Sequence, residues 1–174
     1  EMDHGEIVAT SKLNIQISKL GYKMLEEKLI EEAEKLLIKI LPEWLEGKIK
    51  PLSQNHSQAT FCYLIKKEEG KTDFQEPAEI IERKIRAFEV WPGVWFEKNG
   101  KIFKILEADV LKDNEKIAKR KVGEFFLEDK NLIVKCLKDA LLIKKIKPEN
   151  KKAITGYECW CGYQRYLIDK KLTS

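Results

Sequence analysis

Few side chains in this sequence have the types and spacing that catalysis or metal binding requires. Asp3 stands two residues before Gly5, and an Asp-x-Gly sequence is most commonly a turn in which the carboxylate bonds to the nearby backbone. Cys159-x-Cys161 is too short and too isolated for structural zinc, which needs two such pairs. His56 lies in a polar segment without a cysteine or carboxylate at ligand spacing. These residues therefore favour no metal site.

Charge is the second feature that bears on function. The formal net charge is +4, but residues 1–75 carry 11 Lys and Arg against 13 Asp and Glu, whereas residues 76–174 carry 22 against 16. The two parts thus have net charges of −2 and +6. A basic half suits an anionic partner such as RNA, although lysine-rich surfaces also serve solubility.

Several cations are candidates for phosphate contacts, which require only a positive surface with reach. They are Lys66 and Lys67 in a linker, Arg86 near a helix end, Lys101 and Lys104 in a hairpin, Lys145 and Lys147 on a later strand, and Lys151 and Lys152 in a loop. Arg86 has two interpretations, since it can interact with the helix dipole or reach a phosphate. Strand alternation puts Lys145 and Lys147 on one face and Lys144 on the other, so no single face collects every cation.

The segment around two tryptophans predicts how the chain enters a sheet. Apolar residues at helical spacing after Pro77 predict a helix over residues 77–88. Pro92-Gly93 then predicts a turn, and Asn99-Gly100 predicts a β-hairpin, because both residues tolerate a positive φ. Trp91 and Trp95 can stack on bases, but tryptophan at a helix-to-strand junction more often fills a core.

The first 47 residues predict one strand and one long helix. Residues 6–15 have a strand-like composition, and apolar residues recur at helical spacing from Leu25 to Trp44, with a stop at Gly47. Pro42 is expected to kink or close the last turn. One strand and one helix do not make a domain, so we expect the helix to cover a sheet whose other strands lie outside this chain, as in a truncated protein.

The remainder predicts a linker and a small β-domain. Residues 48–67 have the composition of a connector, with Pro51, Ser53, Asn55 and Ser57. Strand-like runs follow at residues 94–96, 102–111, 122–127, 132–137 and 140–146, a rhythm typical of a small barrel or sandwich. Residues 112–121 are expected to form a solvated hairpin loop, and residues 153–160 a short closing helix.

Composition excludes some protein classes. With 43% hydrophobic and 36% charged residues, the sequence is typical of an ordinary globular protein rather than a disordered one. No run approaches the roughly 18 apolar residues of a membrane span, and no signal peptide opens the chain. We therefore expect a cytoplasmic protein with no membrane partner, whose four cysteines are reduced thiols.

Several motifs together resemble the methionyl-tRNA formyltransferase family. They are Gln58-Ala59-Thr60-Phe61, Lys67-Glu68-Glu69-Gly70-Lys71-Thr72-Asp73-Phe74, Ile85-Arg86-Ala87-Phe88, Trp91-Pro92-Gly93-Val94-Trp95, Val122-Gly123 and Pro148-Glu149-Asn150-Lys151-Lys152-Ala153-Ile154. The resemblance implies an α/β remnant of a Rossmann-like formyltransferase domain at residues 1–47, a linker at 48–67, and an OB-like β-barrel with flanking helices that binds tRNA at 68–174. Leu64 departs from the family, which often carries a basic residue there.

The same resemblance implies a role for Asp3. Met2-Asp3-His4-Gly5 looks like the family's active-site loop, in which Asp3 matches the catalytic aspartate and His4 is incidental. Formyl transfer from 10-formyltetrahydrofolate to the methionyl amine of initiator tRNA needs oxyanion stabilisation and a proton carrier. The family supplies these with an Asn, a His and this Asp, and the Asn and His precede the loop. This chain alone is therefore expected to be inactive, with no metal and no obligate protein partner.

Two alternatives remain open. The first is a sugar-nucleotide N-formyltransferase, whose C-terminal domain resembles this one and whose acceptor is an amino sugar. The second is a non-catalytic RNA-binding module, in which the Asp3 loop is only a remnant of the fold. A basic β-domain favours the tRNA enzyme over the sugar enzyme.

Overall fold

The computed structural model describes residues 2–16 and 20–168. The chain divides into two compact units, Glu1–Leu64 and Ile65–Ser174. Most of the segment expected to be a linker, up to Leu64, thus falls within the first unit.

The first unit is built on one long helix, α1 (Tyr22–Leu45). The predicted helix is confirmed, and Pro42 lies inside its last turn. The Glu46 amide still donates to the Pro42 carbonyl at 3.1 Å, and Gly47 adopts a φ of 71° just beyond the end. None of the residues of α1 is buried: Leu25, Leu36 and Ile40 are half-buried, whereas Leu29 and Trp44 are exposed.

The predicted strand at residues 6–15 is wrong for the residues that the structure describes. Only Ile7 pairs, in one antiparallel bridge with Leu52, through backbone hydrogen bonds of 2.8 and 2.9 Å. A strand exists only where a neighbour accepts its hydrogen bonds. The apolar composition of residues 6–15 favours a strand, but beyond Ile7 these residues have no neighbouring strand to pair with in the described parts of the chain.

The second unit is a six-stranded antiparallel sheet with helices around it. Its strands are β1 (Val94–Lys98), β2 (Lys101–Leu111), β3 (Phe125–Glu128), β4 (Asn131–Lys135), β5 (Ala140–Pro148) and β6 (Ile154–Thr155). The strand order is β1-β2-β5-β4-β3, and β6 pairs with β5. The five longer strands confirm the sequence prediction, whereas β6 was missed because two residues carry no periodic pattern.

Local turn chemistry accounts for the entry into the sheet. Helix α2 (Ala78–Ala87) begins after Pro77, as predicted. Asn99 and Gly100 join β1 to β2 with φ values of 48° and 72°, the pair of positive angles that a type I′ hairpin requires. The Pro-Gly turn before β1 is also present, with a cis Trp91-Pro92 bond and a φ of 78° at Gly93.

A cluster of phenylalanines closes the sheet on itself. Phe96 of β1 and Phe125 of β3 belong to strands at opposite ends of the strand order, yet their rings stack with centroids 5.0 Å apart. Phe103 of β2 stacks on Phe96 at 5.2 Å, and Phe74, which precedes α2, meets both Phe96 and Phe125 edge-on. The sheet is therefore strongly curved, with its concave face filled by aromatic side chains.

The strands β2 and β5 bend together. Their register shifts between Ile105 and Glu107 and again between Glu107 and Ala108. In β5 every second residue is buried up to Ile143 and again from Ile146, so the alternation shifts by one residue at the same place. Two compensating bulges of this kind let both strands turn while their apolar side chains stay on the concave face.

Helix α4 (Gly156–Leu167) closes the second unit, later than the predicted residues 153–160. A capping box starts it: Thr155 Oγ1 accepts from the Glu158 amide at 3.2 Å, and Glu158 Oε2 accepts from the Thr155 amide at 2.8 Å. Gly156 lies so close to β5 that a β-carbon there would lie 2.1 Å from the Ile143 carbonyl oxygen. Only glycine allows this approach.

The prediction that residues 112–121 form a solvated loop is wrong. Helix α3 (Glu115–Ala118) lies within it, with the Asn114 side chain accepting from the Lys116 and Ile117 amides. Ile117 is buried in a small second core with Phe126 and Ile133. The charged residues of this segment give it a polar composition, although the apolar side chain of Ile117 packs it against the sheet.

A buried lysine links this segment to β4. Lys135 is 5% exposed, and its Nζ donates to both Asp113 carboxylate oxygens, at 2.9 and 2.8 Å, and to the Asp139 carbonyl at 3.2 Å. Hydrogen bonds from Lys112 Nζ and from the Asp113 amide hold the pKa of Asp139 below its usual value. That carboxylate therefore stabilises the fold above the pKa of a free aspartate, about 3.9, and the contribution is lost as the pH falls further.

Substitution of Gly156 by alanine tests the close approach of α4 to the sheet. The added carbon would clash with backbone, so Gly156→Ala is expected to lower the free energy of unfolding by about 1–3 kcal/mol. Gly162→Ala is the matched control in the same helix, because nothing lies within 4 Å of a β-carbon there. It should raise stability by up to about 1 kcal/mol. Equal effects in urea unfolding would contradict this account.

Substitution of Asp113 tests the buried ion pair. Asp113→Ala leaves the Lys135 ammonium buried without its carboxylate, so we expect a loss of about 3 kcal/mol in the free energy of unfolding. Asp109→Ala is the control, because Asp109 pairs with Lys144 at the surface, where the pair contributes under about 1 kcal/mol. A loss as small as the control's would show that Lys135 does not depend on Asp113.

Candidate functional site

Hydrogen bonds from a segment distant in sequence hold the Asp3 loop. Asp3 is exposed and has a φ of 64°. Gln54 Nε2 donates to the carbonyl oxygens of Asp3 at 2.8 Å and Gly5 at 2.6 Å. The Ile7 to Leu52 bridge follows immediately. The loop is thus positioned by residues 52–54, with the Asp3 carboxylate at the surface.

Two histidines that the sequence left unconnected meet beside this loop. The rings of His4 and His56 stack with centroids 5.3 Å apart and planes inclined by 17°. Together with Asp3 and Gln54 they line a shallow surface cavity. No local pattern signals this contact, because 52 positions separate the two residues; only the Ile7 to Leu52 pairing brings them together.

The cysteines are separated by burial. Cys159 is fully buried, and burial raises the pKa of its thiol to about 12, whereas Cys161 is exposed. Burial likewise raises the pKa of Cys136 to about 12. Within residues 2–16 and 20–168, no three His, Cys, Asp or Glu side chains are grouped as a metal site requires.

The main cationic feature is a row of residues that crosses the sheet. Lys71 forms a bridge with Trp95, Trp95 lies opposite Lys104, and Lys104 lies opposite Lys147. Directly opposed residues project from the same face of a sheet. The neighbouring rows, such as Phe96 opposite Phe103, are buried, so this row faces outward. We call Lys71, Trp95, Lys104 and Lys147 the basic row.

The sequence did not predict the basic row as a unit. Lys104 and Lys147 were expected at separate places, and Lys71 was not a candidate. Like charges directly opposed across strands destabilise a sheet, yet Lys104 and Lys147 form no ion pair with any carboxylate in the described part of the chain. Lys71 Nζ lies 5.5 Å from the centre of the Trp95 ring, in a cation–π contact.

Both tryptophans hold the segment that carries Lys66 and Lys67. Trp91 Nε1 donates to the Ile65 carbonyl at 3.0 Å, and Trp95 Nε1 donates to the Lys67 carbonyl at 3.2 Å. Trp95 is half-buried, but Trp91 is 55% exposed. The expectation that both tryptophans fill a core is therefore wrong for Trp91. Its indole N–H is hydrogen-bonded to the Ile65 carbonyl, and its ring lies at the surface.

Other cations are already engaged. Arg86 Nε donates to Glu82 at 2.7 Å across one helical turn, a partner that neither sequence interpretation included. Lys144 Nζ lies 2.7 Å from Asp109, and Lys101 Nζ lies 5.8 Å from the Tyr166 ring centre. The remaining predicted cations are exposed; they are Lys66, Lys67, Lys145, Lys151 and Lys152. The structure thus brings together Lys104 and Lys147, and leaves Lys151 and Lys152 in a separate turn.

Comparison with known proteins identifies the second unit. Residues 64–164 match the family described as formyl transferase, C-terminal domain. The chain belongs to this family. The matched segment spans 58% of the chain by residue count, since it covers 101 of 174 residues. The recognition of the formyltransferase motifs is thereby confirmed.

Curated relatives extend the match to the first unit. A methionyl-tRNA formyltransferase from Rickettsia bellii is 31% identical over 97% of this chain and 53% of its own length. One from Sulfurihydrogenibium sp. is 34% identical over 94% of this chain and 52% of its own length. The chain thus spans about half the length of the curated relatives it matches.

Solved structures share the fold. HypX from Aquifex aeolicus superposes with a TM-score of 0.69 at 16% identity, over 95% of this chain and 30% of that one. An N-formyltransferase from Helicobacter canadensis, solved with folinic acid and dTDP-3-aminofucose, gives a TM-score of 0.59 at 15% identity, over 82% of this chain and 51% of that one. At these identities the likeness concerns the fold alone.

Within residues 2–16 and 20–168, no helix is both long and apolar enough to cross a bilayer.

Proposed function

We propose that this chain is the C-terminal part of a methionyl-tRNA formyltransferase. Residues 1–47 would be the end of a Rossmann-like catalytic domain, 48–67 a linker, and 68–174 an OB-like tRNA-binding domain. The observation that carries the proposal is the match of nearly the whole chain to curated enzymes of that name. An OB-like domain, a five-stranded and partly open barrel, is consistent with the curved sheet and its stacked Phe96 and Phe125.

The acceptor substrate is proposed to be methionyl-initiator tRNA. Its phosphates would contact the basic row, the exposed Lys66 and Lys67 beside it, and Lys101, Lys145, Lys151 and Lys152 more peripherally. Support comes from Lys104 and Lys147, which lie opposite each other at a cost that an RNA phosphate would offset. Arg86 would reach a phosphate only by sharing its guanidinium with Glu82. The proposal includes that the protein acts in the cytoplasm.

Asp3 is proposed as the catalytic carboxylate. Its exposed side chain, on a loop held by Gln54, could accept a proton from the methionyl amine as that nitrogen bonds to the formyl carbon. The proton would then pass to the folate nitrogen as its bond to the formyl carbon breaks. 10-Formyltetrahydrofolate supplies the formyl group. Among the described residues this loop offers one carboxylate beside two histidines, and we assign none of them to folate binding.

The basic row favours tRNA over an amino-sugar acceptor. A sugar nucleotide carries two phosphates close to its reacting amine, and so has no need of a further cationic surface on another unit. The basic row lies on the second unit, on the outer face of the sheet, whereas Asp3 belongs to the first. A long polyanion is the kind of acceptor that can use such a surface.

Salt dependence of binding tests the tRNA proposal. The whole chain is expected to bind methionyl-initiator tRNA with log K falling as log salt rises, by roughly 0.9 for each phosphate contacted. Lys104→Ala and Lys147→Ala should each reduce that slope by about 1. Lys144→Ala is the control on the same strand, because Asp109 already pairs with Lys144. A flat salt response of the unaltered chain would overturn the proposal.

Activity of the chain alone is the second test. Asp3 cannot by itself stabilise the oxyanion, so the purified chain is expected to transfer no formyl group to methionyl-tRNA. Transfer of radiolabelled formyl above the uncatalysed rate would show that the residues of this chain suffice.

A further inference from the structure

Trp91 is exposed in a fixed orientation. The side chain is 55% exposed, yet its indole N–H is satisfied by the Ile65 carbonyl at 3.0 Å. Pro92 and Gly93 then lead directly into β1. The ring therefore offers a flat apolar surface that loses little conformational freedom when a ligand covers it.

A cation lies over the turn that follows Trp91. The Lys104 side chain passes directly over Gly93, where a β-carbon would lie 1.8 Å from Lys104 Cε. Lys147 stands opposite Lys104 on the next strand. One ammonium group therefore lies over the turn that follows the exposed ring, and a second stands opposite it on the next strand; neither has a carboxylate partner in the described part of the chain.

This arrangement suits an unpaired nucleotide. A base of any identity stacks on an indole, and its adjoining phosphates need cations at backbone spacing. A paired duplex keeps its bases inside and would use the lysines but not the ring. An acidic peptide would use the lysines without requiring a flat aromatic surface. Only an unpaired base with its sugar-phosphate backbone uses every component.

We propose that Trp91 stacks on an unpaired base of the bound RNA while Lys104 and Lys147 hold the adjoining phosphates. The proposal rests on the proposed function and deepens it, since it assigns a role to a residue that sequence reasoning placed in the core. It also divides the interface into a stacking part and an electrostatic part. The two parts respond to different changes in the ligand.

The test compares two ligands that differ only in their bases. The probes are a fluorescently labelled oligouridylate and the same sugar-phosphate strand without bases, each titrated with the full chain at low salt. Trp91→Leu is expected to weaken binding of oligouridylate about 5- to 100-fold and binding of the abasic strand by less than about twofold. Lys147→Ala should weaken binding of both strands equally. Trp91→Phe, which retains an aromatic face, should recover most of the affinity for oligouridylate.

Two controls separate stacking from a structural role of the indole. Trp44→Leu removes a tryptophan of similar exposure from α1 and should leave both affinities unchanged. If Trp91→Leu only loosened the fold around Ile65, both strands would lose affinity together. That result would overturn the stacking proposal but leave tRNA binding intact. Absence of binding to either strand, with no salt-dependent binding of tRNA, would overturn both proposals.

Discussion

The stacking of Phe96 on Phe125 is the contact on which the second unit depends. These rings belong to strands that no hydrogen bond joins, so their contact brings the two ends of the sheet together through side chains alone. Phe74 and Phe103 complete the cluster and attach the segment before α2 and the first hairpin to it. Because the concave face is filled in this way, Trp95, Lys104 and Lys147, which alternate with the buried positions, project outward. The basic row owes its exposure to an aromatic core beneath it.

Local features of this fold could be predicted from the sequence, and features made by distant pairing could not. The hairpin at Asn99-Gly100 and the helix after Pro77 were predictable because turn chemistry and helical spacing act within a few residues. The neighbours Lys104 and Lys147 are 43 positions apart, and their alignment depends on how β2 and β5 pair. The same holds for His4 and His56. Ile117 was missed for another reason, since one buried side chain among charges has no periodicity.

The lysines of this protein differ in whether a carboxylate lies beside the ammonium group, and the position of a lysine on its strand does not decide this. Lys135 is buried and held by Asp113, where it ties a surface segment to β4. Lys144 is neutralised by Asp109, while Lys147, three residues later on the same strand, has no such carboxylate among the described residues. A count of basic residues gave the sign of the surface but not which ammonium groups remain available to a polyanion.

The paired bulges of β2 and β5 couple the lengths of these two strands. Removal of one residue from β2 alone would reverse the facing of every side chain beyond the deletion, and would turn either apolar side chains to water or Glu107 and Asp109 into the core. Only a matched removal from β5 would restore the register. A change in the length of either strand therefore requires a compensating change in the other, whereas the turns of the sheet can change in length alone.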